Sequence, residues 1–224
     1  MKEAFETLLE TREQLTVDQT LAMLTDAEWE YRINSRTERY IKQAAFRYRA
    51  AIEQIRFDPA RNLDKNQLLR LAACSFLNQA ENILLTGLTG AGKSYLACAL
   101  GHQACIKGYR TLYFNTQKLF AKLRMSKADQ TYLKVMKTIE KIDLLILDDF
   151  GLEPLDQENR LMLLEILEDR HGRKSTLIAS QLPVKNWYDI IGENTIADAI
   201  LDRLVHQSHR IELKGDSMRK LKNR

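Results

Sequence analysis

The chain has 224 residues, 45% of them hydrophobic and 29% charged, with a net charge of +4 and an isoelectric point of 8.9. These values suit one α/β domain of about 150 residues with a smaller extension and exclude a chain disordered along its whole length. No apolar run approaches the ~18 to 20 residues of a membrane span, and the opening Met-Lys-Glu-Ala-Phe-Glu lacks the apolar stretch of a secretory signal, so a soluble, cytoplasmic protein without a membrane partner is expected.

From Met1 to about Arg61 the pattern is helical. Leu8, Leu9, Leu15, Leu21 and Leu24 recur at helix-like intervals, and neither glycine nor proline occurs before Pro59. Phe57-Asp58-Pro59 breaks that pattern, and a further helix is predicted over Leu68 to Gln79. The division expected is a helical N-terminal module over 1–61 that binds DNA or a partner, and a second domain over 62–224 ending in a short basic tail. Cys74, Cys98 and Cys105 form no Cys-x-x-Cys pair, and their odd count points to buried free thiols rather than disulfides.

Ile83-Leu84-Leu85-Thr86 is a short apolar strand that runs into a glycine-bearing loop, and Ser94 to Lys107 then reads as a helix closed by Gly108. Further strands are predicted at Thr111 to Phe114, Asp143 to Leu147, Thr176 to Ala179 and Arg210 to Leu213, with helical patterns between them. Alternating strands and helices imply an α/β fold with a mainly parallel sheet covered on both faces.

The loop Gly87-Leu88-Thr89-Gly90-Ala91-Gly92-Lys93-Ser94 fits G-x-x-x-x-G-K-[ST], a Walker A or P-loop, in the strand-before, helix-after setting that its mechanism needs. Glycines let backbone N–H groups turn inward around phosphate oxygens, and the helix that follows directs its positive dipole end at the same anion. Lys93 is expected at the β- and γ-phosphates, Ser94 on Mg²⁺, and Tyr95 at the nucleotide just beyond. The cofactors expected are therefore ATP and Mg²⁺.

Leu144 to Leu147 is a buried strand that ends in Asp148-Asp149, where ligands of open α/β sheets bind. Asp148 is expected to act through the metal and Asp149 to polarise the attacking water, the alternative for Asp149 being a cap on the turn at Gly151. Ser175 to Ala179 ends in Ser180-Gln181, and the Gln181 amide is suited either to sense the γ-phosphate or simply to make a turn.

Together these residues resemble the AAA+ ATPases, and within them the IstB-like transposition helpers, kin of the DnaC and DnaI helicase loaders. The distinctive segments are Glu28-Trp29-Glu30-Tyr31-Arg32 through the basic stretch to Phe57, Glu81 to Gly87, and Asp148-Asp149-Phe150-Gly151-Leu152-Glu153-Pro154-Leu155. Ser180-Gln181-Leu182-Pro183, Ala199 to Leu204 and Gly215-Asp216-Ser217-Met218-Arg219 complete the set. The resemblance implies a P-loop NTPase sheet whose sensor strand lies between the Walker A and Walker B strands, and a site completed by a neighbouring subunit. It makes Arg203 the best match to the arginine finger, with Arg170 and Arg173 behind it; the alternative for Arg203 is a surface arginine paired with Asp198 or Asp202. Asp149 stands where many AAA+ proteins have glutamate, and Gln181 where asparagine is common, which implies slow hydrolysis. The chain stops soon after Arg219, leaving no room for a C-terminal lid domain, as in the IstB-like and DnaC-like proteins.

Two basic stretches are candidates for DNA. Arg32, Arg36, Arg39 and Lys42 begin a run continued by Arg47, Arg49, Arg56 and Arg61, with Tyr40, Phe46 and Tyr48 interleaved. Lys118, Lys122, Lys134 and Lys137 belong to a second ridge with Arg124, Lys127 and Lys141. Each has the alternative of a solvated face. His206 and His209 lack the companions of a metal site.

The resemblance favours an ATP-dependent regulator of transposition that forms a homo-oligomer on duplex DNA, deforms it and recruits a transposase. A helicase loader acting with single-stranded DNA, a small-molecule P-loop kinase, and a nucleotide-gated binding module with negligible hydrolysis are the alternatives.

Overall fold

The computed structural model describes residues 16–215 together with Ser217 and Met218. The predicted helix positions Leu8, Leu9 and Leu15, and Asp216 and Arg219 of the tail, lie outside the described residues.

Helix α1, Val17–Ala44, opens with a capping box in which Thr16 and Gln19 each satisfy the other's backbone N–H. Its 28 residues span roughly 42 Å at ~1.5 Å per residue, and only Ala44 is buried, so most of the helix projects from the body. It ends without a glycine: Ala45 takes the left-handed conformation, with φ 55°. The helical pattern expected as far as Arg61 therefore stops at Ala44. An irregular linker follows, because Ala50, Ile52 and Ile55 are drawn into the core, leaving room for only two 3₁₀ turns, Ile52–Gln54 and Pro59–Arg61. The helix expected over Leu68 to Gln79 is likewise two pieces, α2 Lys65–Ala72 and α3 Ser75–Asn78, separated where Cys74 turns left-handed at φ 64°.

The core elements then alternate: β1 Asn82–Gly87, α4 Lys93–Ile106, β2 Thr111–Asn115, α5 Thr116–Ala128, α6 Tyr132–Glu140, β3 Leu144–Phe150 and α7 Gln157–Arg170. They continue with β4 Ser175–Ser180, the short α8 Trp187–Ile191, α9 Asn194–Val205 and β5 Ser208–Leu213. All pairings are parallel and the strand order is β2-β3-β4-β1-β5. The strand that ends in Ser180 lies between the one that leads into the glycine loop and the one that ends in the acidic pair, as expected.

Strand alternation divides the core into two layers. Ile83, Leu85, Ile146 and Leu177 face the linker, α2, α3 and α4, whereas Leu84, Leu145, Leu147 and Ile178 face α5 to α9. Each such side chain contributes about 1.5–3 kcal/mol by burial, against ~0–1 kcal/mol for an exposed ion pair, so the sheet faces hold the fold. The free edge of β5 is covered by side-chain amides: Asn62 donates to the carbonyl of Glu212 (3.0 Å) and Gln67 to that of Arg210 (3.2 Å), which blunts the edge against strand addition.

At the opposite end of the sheet from the glycine loop, Arg170 is 1% exposed, so it is not available as an arginine finger. Its guanidinium donates to the carbonyls of Ile139 (2.7 Å), Ile142 (2.9 Å) and Ser175, and to the Thr176 hydroxyl (3.2 Å), tying the ends of α6 and α7 to the starts of β3 and β4. Replacing Arg170 by leucine should remove these four hydrogen bonds from a charged donor, at ~1.5–3 kcal/mol each, and lower stability by about 3 kcal/mol or more. Thermal unfolding would read this as a lower midpoint, which Arg170→Lys recovers only in part; an unchanged midpoint would remove Arg170 from this role.

Candidate active site

The strands end together at one edge of the sheet, and there the glycine loop turns back into α4. Gly87, Gly90 and Gly92 have φ of 144°, 83° and 96°. At Gly87 a Cβ would lie 2.2 Å from the carbonyl oxygen of Leu213, so close packing against β5 as well as backbone conformation demands glycine. Lys93 is buried, and its ammonium donates to the carbonyls of Gly87 (2.7 Å) and Leu88 (2.9 Å). Burial pulls its pKa down while the charges of Asp148 and Asp149 oppose the shift.

The acidic pair owes its geometry to a bulge. The β3–β4 register shifts between Leu147 and Phe150, and Asp149 is left-handed at φ 58°. In a regular strand successive side chains point to opposite faces; the bulge instead brings both carboxylates to one guanidinium, that of Arg47, which lies 3.2 Å from Asp149 and 3.8 Å from Asp148. Asp148 is fully buried and satisfied, accepting from the Tyr113 hydroxyl (2.5 Å) and the Asp149 N–H (2.9 Å). Burial and the Asp148 charge push the Tyr113 phenol far above its ordinary pKa, so it remains a donor. Asn115 caps α5 through its oxygen, which accepts from the Lys118 N–H, and donates from its nitrogen to Asp149 at 3.0 Å.

Gln181, just beyond the end of β4, accepts a hydrogen bond from the Thr89 hydroxyl (2.6 Å), which links that strand end to the glycine loop. These groups line a cavity of about 750 Å³ that includes Thr89, Gly90, Gly92, Lys93, Ser94, Tyr95, Asp149 and Gln181. Its opposite wall is the linker. Arg47, Arg49, Arg56 and Arg61, which sequence alone groups with the exposed DNA-facing cations, line this cavity together with Tyr48, Gln54 and Ile55. Tyr95 donates to the Gln54 side chain at 2.7 Å and packs beside Tyr48, with ring centroids 6.3 Å apart. Arg61 is 8% exposed and anchors the loop by donating to the Ala91 carbonyl at 3.0 Å, with its second bond to Arg56. Burial lowers its pKa, opposed only by Asp58. The Met218 N–H donates to the Gly90 carbonyl (2.9 Å), so the start of the tail rests on the same loop. Tyr113 and Asn115 escape a sequence reading because each is an ordinary residue outside any motif, whereas Arg61 and Met218 stand in segments that the sequence singles out without showing that they rest on the glycine loop.

Arg203 sits elsewhere. Asn82, at the start of β1, donates to the Arg203 carbonyl (2.8 Å), which puts this residue a strand length, roughly 16 Å at ~3.3 Å per residue, from the loop at the other end of β1. Its guanidinium donates to the Ala199 carbonyl (2.7 Å) and forms an ion pair with Glu168 rather than with Asp198 or Asp202. Arg32, Arg36, Arg39 and Lys42 are exposed along α1, as are Lys118, Lys122, Lys134 and Lys137 on α5 and α6. Arg32 pairs with Glu28 at 2.8 Å, and Lys122 lies 5.3 Å from the Phe114 ring centre. Lys134, Lys137, Lys141 and Arg110 line a groove of about 670 Å³ with Tyr40 and Gln43 of α1, so parts of the two basic stretches meet there. Cys74, Cys98 and Cys105 are free and buried, as expected, and among the described residues no cluster of His, Cys, Asp or Glu is suited to hold a metal by itself. No described helix is long and apolar enough to cross a membrane.

Comparison with known proteins agrees with this geometry. The family described as IstB-like ATP binding protein matches residues 1–224. A protein of Sinorhizobium fredii (strain NBRC 101917 / NGR234) named for insertion-sequence ATP binding is 43% identical over 226 residues, covering 100% of this chain and 92% of its own length. Among solved structures, DnaI superposes with a TM-score of 0.64 at 23% identity, over 74% of this chain and 92% of that one. The DnaC helicase loader superposes with a TM-score of 0.60 at 22% identity, over 75% and 98%. These two likenesses establish the AAA+ P-loop fold. The chain belongs to the IstB-like ATP-binding protein family, as an ATPase built on that fold.

Proposed function

We propose that this ATPase is a regulator of transposition that assembles as a homo-oligomer with ATP on duplex DNA, deforms the DNA and recruits a transposase, with hydrolysis releasing it. The insertion-sequence association of its relative supports the setting. The observation that supports the assembly is the separation of Arg203 from its own glycine loop by the length of β1, which puts it out of reach of its own site and is consistent with service to a neighbour's.

In this reading the backbone N–H groups of Gly87 to Tyr95 bind the phosphates, and Lys93 turns from its carbonyl partners to the β- and γ-oxygens. Ser94 and Asp148 would hold magnesium. Their hard oxygens suit an ion that takes one or two protein ligands and completes its shell with phosphate and water, and the donors from Tyr113 and the Asp149 N–H keep one Asp148 carboxylate orientation. Bound there, the ion neutralises charge on the transferred phosphoryl group. Asp149, held by Asn115, orients the attacking water, and Gln181 keeps its amide donors for the γ-phosphate while Thr89 occupies its oxygen. A neighbour's Arg203, released from Glu168, then stabilises the transition state.

Arg203→Ala should retain nucleotide binding yet lose about 10³-fold or more in hydrolysis. Mixing it with Lys93→Ala subunits should restore part of the phosphate release, since one partner brings an intact loop and the other an intact arginine. If mixing restores nothing while both variants still assemble, the shared site is disproved.

The groove between α1 and α6 and the exposed cations of α5 form the DNA track in this reading. Lys134→Ala and Lys137→Ala should each weaken duplex binding and reduce the slope of log affinity against log salt by about 0.9. Equal slopes in wild type and both variants, or binding confined to single strands, would refute the duplex track.

A further inference from the structure

Among the described residues, the ion pairs to Asp148 and Asp149 come from one side chain, Arg47, at 3.8 and 3.2 Å. The other nearby cation, Lys93, is engaged by the carbonyls of Gly87 and Leu88. Arg47 does not belong to the sheet or its motifs. It lies two residues beyond Ala45, where α1 ends, and the backbone around it is pinned on both sides. A Cβ at Gly101 of α4 would come within 2.6 Å of the Phe46 ring, so that ring is seated against the helix at its glycine, and Tyr48 packs beside Tyr95. A short, anchored stretch thus joins the end of the projecting helix to the carboxylates that face the phosphate loop.

A guanidinium carries one positive charge; a magnesium ion carries two and binds carboxylate oxygens directly or through water. Both are drawn to the same pair, and Arg47, whose side chain is 42% exposed, is held by an ion pair weak enough to be displaced. We propose that Arg47 is a positioning residue of the hydrolysis site that competes with magnesium for Asp148 and Asp149, so that binding of magnesium and nucleotide shifts the linker leading to α1. Asp149 is thereby exchanged from a partner on the linker to one on the substrate, and the helix carrying Arg32, Arg36, Arg39 and Lys42 registers the occupancy of the site. This inference rests on the ATP and magnesium reading of the cavity.

The test is titration of magnesium into full-length protein with a fluorescent ADP analogue, for wild type, Arg47→Met and Arg47→Lys, beside hydrogen exchange of residues 45–49. Removing the competitor should lower the half-saturating magnesium concentration by about 1.5- to 5-fold in Arg47→Met, the range set by ~0.2–1 kcal/mol for an exposed ion pair. Arg47→Lys should stay near wild type in its magnesium requirement. In wild type, analogue with magnesium should speed exchange over 45–49, and analogue in EDTA should not. General damage to the site would weaken magnesium binding, so the expected change has the opposite sign. An unchanged or raised magnesium requirement in a folded Arg47→Met overturns the competition. If wild type binds the analogue neither with nor without magnesium, the ATP reading of the cavity falls, and this inference with it.

Discussion

A parallel sheet buried on both faces leaves its chemistry nowhere to go but the ends of its strands. Here the side chains of β1, β3 and β4 are committed alternately to two apolar layers, so only residues at or beyond the last paired positions are free for polar work. The glycine loop after Gly87, the acidic pair at the end of β3 and Gln181 after β4 all follow from that single constraint. Because the strands are parallel, these ends lie at the same edge. The opposite edge serves stability, with Arg170 binding the carbonyls where β3 and β4 begin.

Within this frame the bulge at Asp148 and Asp149 is the departure from regularity with the largest effect. It converts two residues that a straight strand would aim apart into a pair sharing one cation. Each carboxylate is then held by a different neighbour: Asp148 by Tyr113, inside the protein, and Asp149 by Asn115 and Arg47, at the cavity. The fully buried group is suited to a fixed role, and the half-buried one to exchanging partners. The left-handed backbone at Asp149 is tolerable because a short polar side chain adopts it at little cost.

The linker between Ala44 and the core ties the projecting helix to this site. Its apolar residues Ala50, Ile52 and Ile55 enter the same layer as α4, and its arginines consequently line the cavity beside the glycine loop. A cavity wall made of chain that begins at the end of α1 means that whatever engages α1 and whatever fills the cavity act on the same few residues.

Much of this protein was legible in its residues. The P-loop spacing, the apolar run ending in two aspartates and the five strand segments are local patterns whose periodicity and composition carry their own physical reason, and the placement of β4 between β1 and β3, anticipated from family resemblance, is the one observed. What was not legible depended on contacts distant in sequence. No local rule ends α1 at Ala44, since Ala45 turns left-handed without glycine and the following apolar residues are claimed by α4 and the sheet. Arg47 and Arg61 read as two more cations in a basic run until tertiary packing brings them to Asp149 and Ala91, some 102 and 30 residues away. Tyr113 and Asn115 likewise gain meaning only from the strand beside them. Sequence by itself determined the glycine-loop pattern, the paired aspartates and the strands that carry them, because those are matters of residue type and short spacing; only the tertiary structure decided which charges face those groups, because electrostatics acts through space and burial, not along the chain.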